Sequence, residues 1–190
     1  MYVLGVALFT FASLAHISQC ADYYSSLVID SLHDCPEENI GQYFNMRDLR
    51  LSINGDHSVI NGRFTFNGQM PGQHNVRAVL TVEKCNHKAS LETCEKVSDF
   101  QFNDPCSTWH SKGKLWSSAV ASVSPRLECR MKNNVYTVNN WVINGDVFKQ
   151  TIPQAEKFYW RLKLKLYFNN QLRLCGKVTG GFQKFPGRRG

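Results

Sequence analysis

Phe158-Tyr159-Trp160-Arg161-Leu162-Lys163-Leu164-Lys165-Leu166-Tyr167-Phe168 is the stretch that decides the fold of this chain. Every even position is large and apolar, and every odd position is tyrosine or cationic. Successive side chains of a strand point to opposite faces, so this period of two predicts a long β-strand with one dry face and one charged face. Asn169-Asn170 supply residues that tolerate positive φ, and Gln171-Leu172-Arg173-Leu174-Cys175-Gly176-Lys177-Val178 resumes the alternation. The pair of segments therefore predicts a β-hairpin. Six large apolar side chains on one face of a strand need a cover, which is either a second sheet or the tails of a lipid.

Working back from the hairpin, strand signals recur with turn residues between them. Asn45 to Ile53 alternates and stops at Asn54-Gly55-Asp56. Val59-Ile60 lead to an expected turn at Asn61-Gly62, Arg63 to Phe66 alternates again, and further turns are expected at Asn67-Gly68 and Met70-Pro71-Gly72. Val76 to Val82 reads as a strand ending near Cys85. Val135 to Val138 and Trp141 to Ile143 are rich in β-branched and aromatic residues, closed by Asn144-Gly145-Asp146. The best helical candidate, Leu115 to Val123, is short and serine-rich. The segment between Cys106 and Cys129 lacks a sustained period and reads as a disulfide-bounded loop carrying Trp109, Leu115 and Trp116. Long loops in compact domains usually serve function, and tryptophans are costly on a loop that only meets water. The alternative is that both tryptophans tuck into the core.

The run Tyr2 to Ala12 is apolar, too short to span a bilayer comfortably, and followed by small and polar residues, so residues 1–20 read as a signal peptide with cleavage after Cys20. That leaves Cys35, Cys85, Cys94, Cys106, Cys129 and Cys175. An even set in a secreted chain reads as three disulfides, for which spacing leaves 15 pairings open. Residues 21–184 are expected to form one domain and residues 185–190 a mobile basic tail. The formal net charge of +7 points to anionic partners, among which secretion disfavours nucleic acid.

No nucleophile elbow, glycine-rich phosphate loop or paired zinc-ligand spacing occurs, so no catalytic residue, cofactor or metal is expected. The nearest approach to a metal motif is Cys85, His87 and Cys94. Glu37-Glu38 and Asp99 with Asp104 read as solvated or turn carboxylates. Arg161, Lys163, Lys165, Arg173 and Lys177 are expected to share the outer face of the hairpin, which suits an anionic membrane surface.

Leu27-Val28-Ile29-Asp30-Ser31-Leu32-His33-Asp34-Cys35, the strand Met46 to Ile53, Leu80 to Cys85, Phe102 to Cys106, Leu127 to Arg130 and the final hairpin with Cys175 follow one order. In this order the chain resembles the ML lipid-recognition superfamily, within it the ganglioside activator branch. The resemblance implies a two-sheet antiparallel β-sandwich, immunoglobulin-like, opened into a cup for acyl chains. It also implies the pairs Cys35 with Cys175, Cys85 with Cys94 and Cys106 with Cys129. Phe64, Phe66, Trp160, Leu162, Leu164 and Leu166 would line the wall, and Trp109, Leu115 and Trp116 would form the lip. The implied role is non-catalytic: binding and transfer of a lipid or glycolipid, with a glycosidase or receptor as a possible recipient. Two departures stand out, the absence of the extra rim cysteine pair of the vertebrate activators and the absence of an Asn-x-Ser/Thr sequon. The rival expectation is a secreted sandwich with a filled core that binds a receptor or acidic glycan through its basic face.

Overall fold

A computed structural model describes residues 23–68, 76–114, 116–143 and 145–187. The leader, the Met70-Pro71-Gly72 turn, Leu115 and the Arg188-Arg189 end lie outside the described residues.

Nine strands form two antiparallel sheets: β1 (Tyr23–Asp34), β2 (Phe44–Asn54), β3 (His57–Phe66), β4 (Val76–Cys85), β5 (Glu95–Phe102), β6 (Val123–Ser124), β7 (Asn134–Val142), β8 (Tyr159–Phe168) and β9 (Gln171–Pro186). One sheet has the order β1-β9-β8-β4-β5, the other β2-β3-β7-β6. Two short helices, α1 (Ser117–Ala121) and α2 (Gly145–Thr151), lie in the connections. The fold is a disulfide-stabilised β-sandwich, with bonds Cys35–Cys175, Cys85–Cys94 and Cys106–Cys129.

The hairpin closes as its residues dictate. Asn169 and Asn170 adopt φ of 49° and 61°, and Phe168 stands opposite Gln171, the geometry of a two-residue turn with both central residues left-handed. Gly55, at φ 63°, turns β2 into β3 in the expected place.

Two expectations need correction. Asn61-Gly62 is no turn but an unbroken part of β3, paired in register with Arg50 and Leu49 of β2, and the bulge opposite it lies on β7, where Asn139 and Asn140 face the single residue Asn61. Gly62 holds φ 128°, and a Cβ there would stand 2.2 Å from the Asp48 carbonyl oxygen, so glycine serves close strand approach rather than chain reversal. The tail does not begin at Phe185, because β9 runs through Pro186 and pairs Phe185 with Tyr24, their rings stacked at 6.0 Å. β7 ends at Val142, before the residues expected to close it, of which Gly145 and Asp146 open α2 and Asn144 lies outside the described residues.

Candidate functional site

The inner face of the larger sheet is apolar from end to end, but its cover is uneven. At one end Leu166, Phe168, Val76 and Ala78 join Phe44, Ile60, Phe64, Phe66, Tyr136 and Val138 from the facing sheet in a closed core. Phe64 stacks on Tyr136 at 5.1 Å and meets Phe44 at 5.7 Å. At the other end α2 and the turn after it supply Phe148, Ile152 and Ala155, which cover Val82 and Trp160. The Trp160 ring meets Phe148 edge-on at 5.2 Å, and its indole N–H donates to the Ala155 carbonyl at 2.6 Å, so the polar edge of the ring is satisfied.

Between these clusters the cover thins. Leu164 belongs to neither and is 37% exposed, although it lies on the same strand face as Trp160 and Leu166. Its neighbours across the sheet are Leu80 and Gly176, and Leu80 stands opposite Phe100 of β5. Leu80, Phe100 and Leu162 are only half-buried. The Met46 methyl lies where a Cβ on Gly176 would be 3.3 Å away, so the glycine leaves room for a thioether at the edge of this bare strip. From the facing sheet, Leu49, Leu51, Trp141 and Ile143 are likewise half-buried against the larger core.

The two edges of the sandwich are held differently. Strand β1 packs on β2 and β3 of the opposite sheet, whereas β5, at the far edge, makes extended contact with β4 alone among the described elements. The segment bounded by Cys106–Cys129 follows β5 and bridges the two sheets: its Pro105–Thr108 turn contacts β4 and α1 contacts β7. Trp116 sits there half-buried, edge-on to Phe102 at 5.3 Å, its N–H donating to the Thr108 carbonyl at 3.3 Å.

This placement divides the expected site residues. Leu162 and Leu164 line the thinly covered strip. Phe64, Phe66, Trp160 and Leu166 are on the inner faces as expected, but each is packed inside a closed cluster, with Phe66 only 1% exposed, and so cannot serve as open wall. Trp109 is not a lip residue either. It is buried, and its indole donates to the Leu127 carbonyl at 2.9 Å, which lets the whole ring enter the core without an orphan donor. Trp116 stays half-buried beside Phe102 of β5, and Leu115 lies outside the described residues. Leu80, Phe100, Met46, Trp141 and Ile143 were not anticipated. Phe100 and Phe102 alternate with Asp99 and Gln101, a period-two signal that would have exposed β5 and one of these residues.

The outer face of the hairpin is charged, but it is not free. Residues 36–38 form a single 3-10 turn held to β9 by Cys35–Cys175, and this turn delivers two carboxylates onto three lysines. Glu38 pairs with Lys163 at 2.8 Å and Lys165 at 2.7 Å, while Glu37 pairs with Lys163 at 3.0 Å and with Lys177. The Lys177 hydrogen bond holds the Glu37 carboxyl down to about 2 against the opposing pull of partial burial. Hydrogen bonds from Lys163 and then Lys165 likewise hold Glu38 below the ordinary carboxylate range. Arg161 pairs with Glu83 and also donates to the Leu91 carbonyl, and Arg173 lies 4.1 Å from the Tyr43 ring centre. Glu37 and Glu38 stand on a turn, as expected, and act there as counter-ions to the hairpin lysines, so the hairpin is not an open basic face.

Cations without a matching carboxylate lie elsewhere. Among the described residues Lys112, Lys114, Arg130 and Lys132 are exposed on and beside the segment closed by Cys106–Cys129 with no ion pair, while Arg126 there shares Glu128 with His110. Cys85 and Cys94 are consumed by their disulfide, and among the described residues no group of three His, Cys, Asp or Glu is placed to hold a metal. No helix among them is long and apolar enough to cross a membrane. No protein-family model matches the chain, and no curated protein matches it.

Proposed function

We propose that this chain is a secreted, non-catalytic lipid-binding and lipid-transfer protein of the ML type, which takes the acyl part of a lipid or glycolipid between its sheets from the open β5 side. The carrying observation is Leu164, a large apolar residue at the centre of an inner sheet face, left 37% exposed between two closed clusters. A sandwich whose only task is to be stable gains by covering that leucine. An acyl chain laid along Leu80, Leu162 and Leu164 supplies the cover and contributes about 0.8 kcal/mol per methylene removed from water. Three disulfides suit an oxidising compartment. The cations beside the open edge provide attraction to anionic membranes, in place of the neutralised hairpin. A glycosidase or receptor would then be the recipient.

Organic extraction of the purified protein followed by mass spectrometry tests the reading, together with uptake of a fluorescent fatty acid by delipidated protein. Lipid is expected in the extract, and Leu164→Asp is expected to abolish uptake while keeping the native circular dichroism spectrum. No uptake of fatty acid, phospholipid or glycolipid, with amide exchange showing a dry and rigid interior, would replace this reading with the filled-core interaction module.

A further inference from the structure

The two outer faces of the sandwich differ in how their charge is settled. On the larger sheet Lys96, Arg161, Lys163, Lys165 and Lys177 each reach a carboxylate, and Arg77 and Arg173 lie over the rings of Tyr167 and Tyr43. On the smaller sheet Arg47, Arg50 and Arg63 are all exposed, and none makes an ion pair among the described residues. Of the 15 Asp and Glu side chains only Asp22 lies outside those residues. The smaller sheet is short of counter-ions.

Alternation puts these arginines on one surface. Met46, Leu49 and Leu51 of β2 and Ile60, Phe64 and Phe66 of β3 turn to the core, so Arg50 and Arg63, at the opposite phase, point outward. The register sets Arg50 opposite Asn61 and Arg63 opposite Asp48, which makes the two arginines diagonal neighbours about 7–8 Å apart. Arg47 lies in the bulge between Asn45 and Asp48, and its amide donates to Asn45 Oδ1 at 2.9 Å. On the other flank Arg63 faces Thr137 of β7, and Thr137 faces Ser124 of β6. Asn61 Oδ1 accepts from the Asn140 amide at 2.7 Å, which leaves the Asn61 side-chain N–H groups to donate. Three guanidinium groups are thus interleaved with amides and hydroxyls, and Asp48 is the one carboxylate carried by β2, β3 and β7.

The chemistry of the face selects its partner. A guanidinium presents a planar fork that matches sulfate, phosphate and carboxylate groups, so the face takes an anion. A sheet surface is broad and without enclosing walls, which suits an extended chain better than a single small ion. No aromatic residue stands at its outward positions to stack on a base, and Val135 is the one exposed apolar residue there to enter a bilayer. The amides and hydroxyls between the arginines match the hydroxyls of a sugar instead. Three disulfides suit an oxidising compartment, where extended polyanions are sulfated glycans. We propose that the outer face of the smaller sheet binds a sulfated polysaccharide, with Arg47, Arg50 and Arg63 on its anionic groups and Asn61, Thr65 and Thr137 on its hydroxyls. The inference does not rest on lipid binding, because the glycan meets the outer surface of one sheet and the acyl chain the inner surface of the other.

The test is calorimetric titration of the full-length protein at physiological salt with size-fractionated heparin, chemically desulfated heparin, double-stranded DNA and phosphatidylserine vesicles. Saturable heparin binding is expected, with the desulfated chain and DNA both weaker. Arg50→Gln/Arg63→Gln is expected to weaken heparin binding roughly tenfold, the loss of two surface ion pairs, with the melting temperature unchanged. Arg50→Lys/Arg63→Lys keeps the charge and should retain binding within about threefold, which separates loss of the site from loss of the fold. Asp48→Asn should tighten binding by removing the one carboxylate on the face. Lys163→Gln/Lys165→Gln and Lys112→Gln/Lys114→Gln remove the same charge elsewhere, and each should weaken heparin binding by less than the arginine variant. Absence of saturable heparin binding, equal affinity for the desulfated chain or for DNA, or a larger loss in either lysine variant would each overturn the site. So would arginine variants that lose vesicle docking and keep heparin. Failure here leaves the acyl-chain reading standing, and failure of lipid uptake leaves this one standing.

Discussion

The two faces of β8 invert what their residues suggest. The outer face, with Arg161, Lys163 and Lys165, has the chemistry of an interaction surface, yet each cation is matched by a carboxylate brought from β4 or from the turn at residues 36–38. The inner face, with Trp160, Leu162, Leu164 and Leu166, has the chemistry of a filled core, yet its centre is left partly bare. The contrast follows from what each face is packed against. The outer face receives a strap fixed by a covalent bond, whereas the inner face is covered by two separate clusters that leave Leu164 between them. Charge on a face is therefore a weaker guide to function than what remains uncovered on it.

Removing the strap is the largest expected perturbation. Cys35–Cys175 closes a loop of sequence separation 140, worth about 5 kcal/mol in the chain-entropy model. The double variant Cys35→Ser/Cys175→Ser is expected to lose most of that in urea denaturation and to release the carboxylates from the hairpin lysines. A loss below about 1 kcal/mol would mean that the strap is held by the Ile40, Tyr43 and Leu172 packing around the bond rather than by the bond itself. Next in size is the contrast along the inner face. Phe66→Ala, at the closed end, is expected to cost about 3–5 kcal/mol, while Leu164→Ala costs about 1 kcal/mol or less because part of the side chain already faces water. Lipid uptake should rank them the other way, with folded Phe66→Ala retaining it and Leu164→Ala weakening it. Equal stability losses at the two positions would show that the strip is ordinary core.

The strands and the hairpin were legible because period-two alternation and Asn-rich turns are local signals. Asn61-Gly62 misled because a glycine that suits a turn also suits a strand interior where another backbone comes close, and only the neighbouring strand, with the Asp48 carbonyl against Gly62, decides between them. α2 has seven residues, too few for a helical period to declare itself. The site was half legible. Leu162 and Leu164 follow from alternation alone. The burial of Trp109 depends on a carbonyl 18 residues away at Leu127, and the fate of the hairpin lysines on a turn more than 120 residues earlier. Neither is written in the sequence around those residues.

Acid titration probes the outer face with a smaller effect. Both strap carboxyls titrate lower when folded than when unfolded, so their contribution is complete above the ordinary glutamate range and is lost as pH falls toward the folded value, about 2 for Glu37. Stability is therefore expected to hold down to about pH 5 and decline between pH 4.5 and 2. The Glu37 side chain is 45% exposed, so screening keeps its share at or below about 1 kcal/mol. Glu37→Gln/Glu38→Gln should flatten that part of the pH profile measured by thermal unfolding. An unchanged slope would place the acid-sensitive groups elsewhere.

The smallest stability effect, and the sharpest test of which face meets a membrane, comes from exchanging cations on the two regions. Lys112 and Lys114 are exposed on the disulfide-bounded segment, and no ion pair engages either among the described residues. Each basic residue close to an anionic surface contributes about 1 kcal/mol at physiological salt. Lys112→Gln/Lys114→Gln should therefore weaken co-sedimentation with phosphatidylserine vesicles by roughly 30-fold, with the melting temperature unchanged. Lys163→Gln/Lys165→Gln should weaken docking by less than the loop variant, since those charges are held on Glu37 and Glu38 and not turned to the bilayer. Glu37→Gln/Glu38→Gln should do the opposite and strengthen docking, by leaving Lys163, Lys165 and Lys177 without counter-ions. All three shifts should shrink at high salt, because exposed charges are screened over a Debye length. If the hairpin variant loses more binding than the loop variant, the outer face is the docking surface after all, and the opening beside β5 must face away from the bilayer.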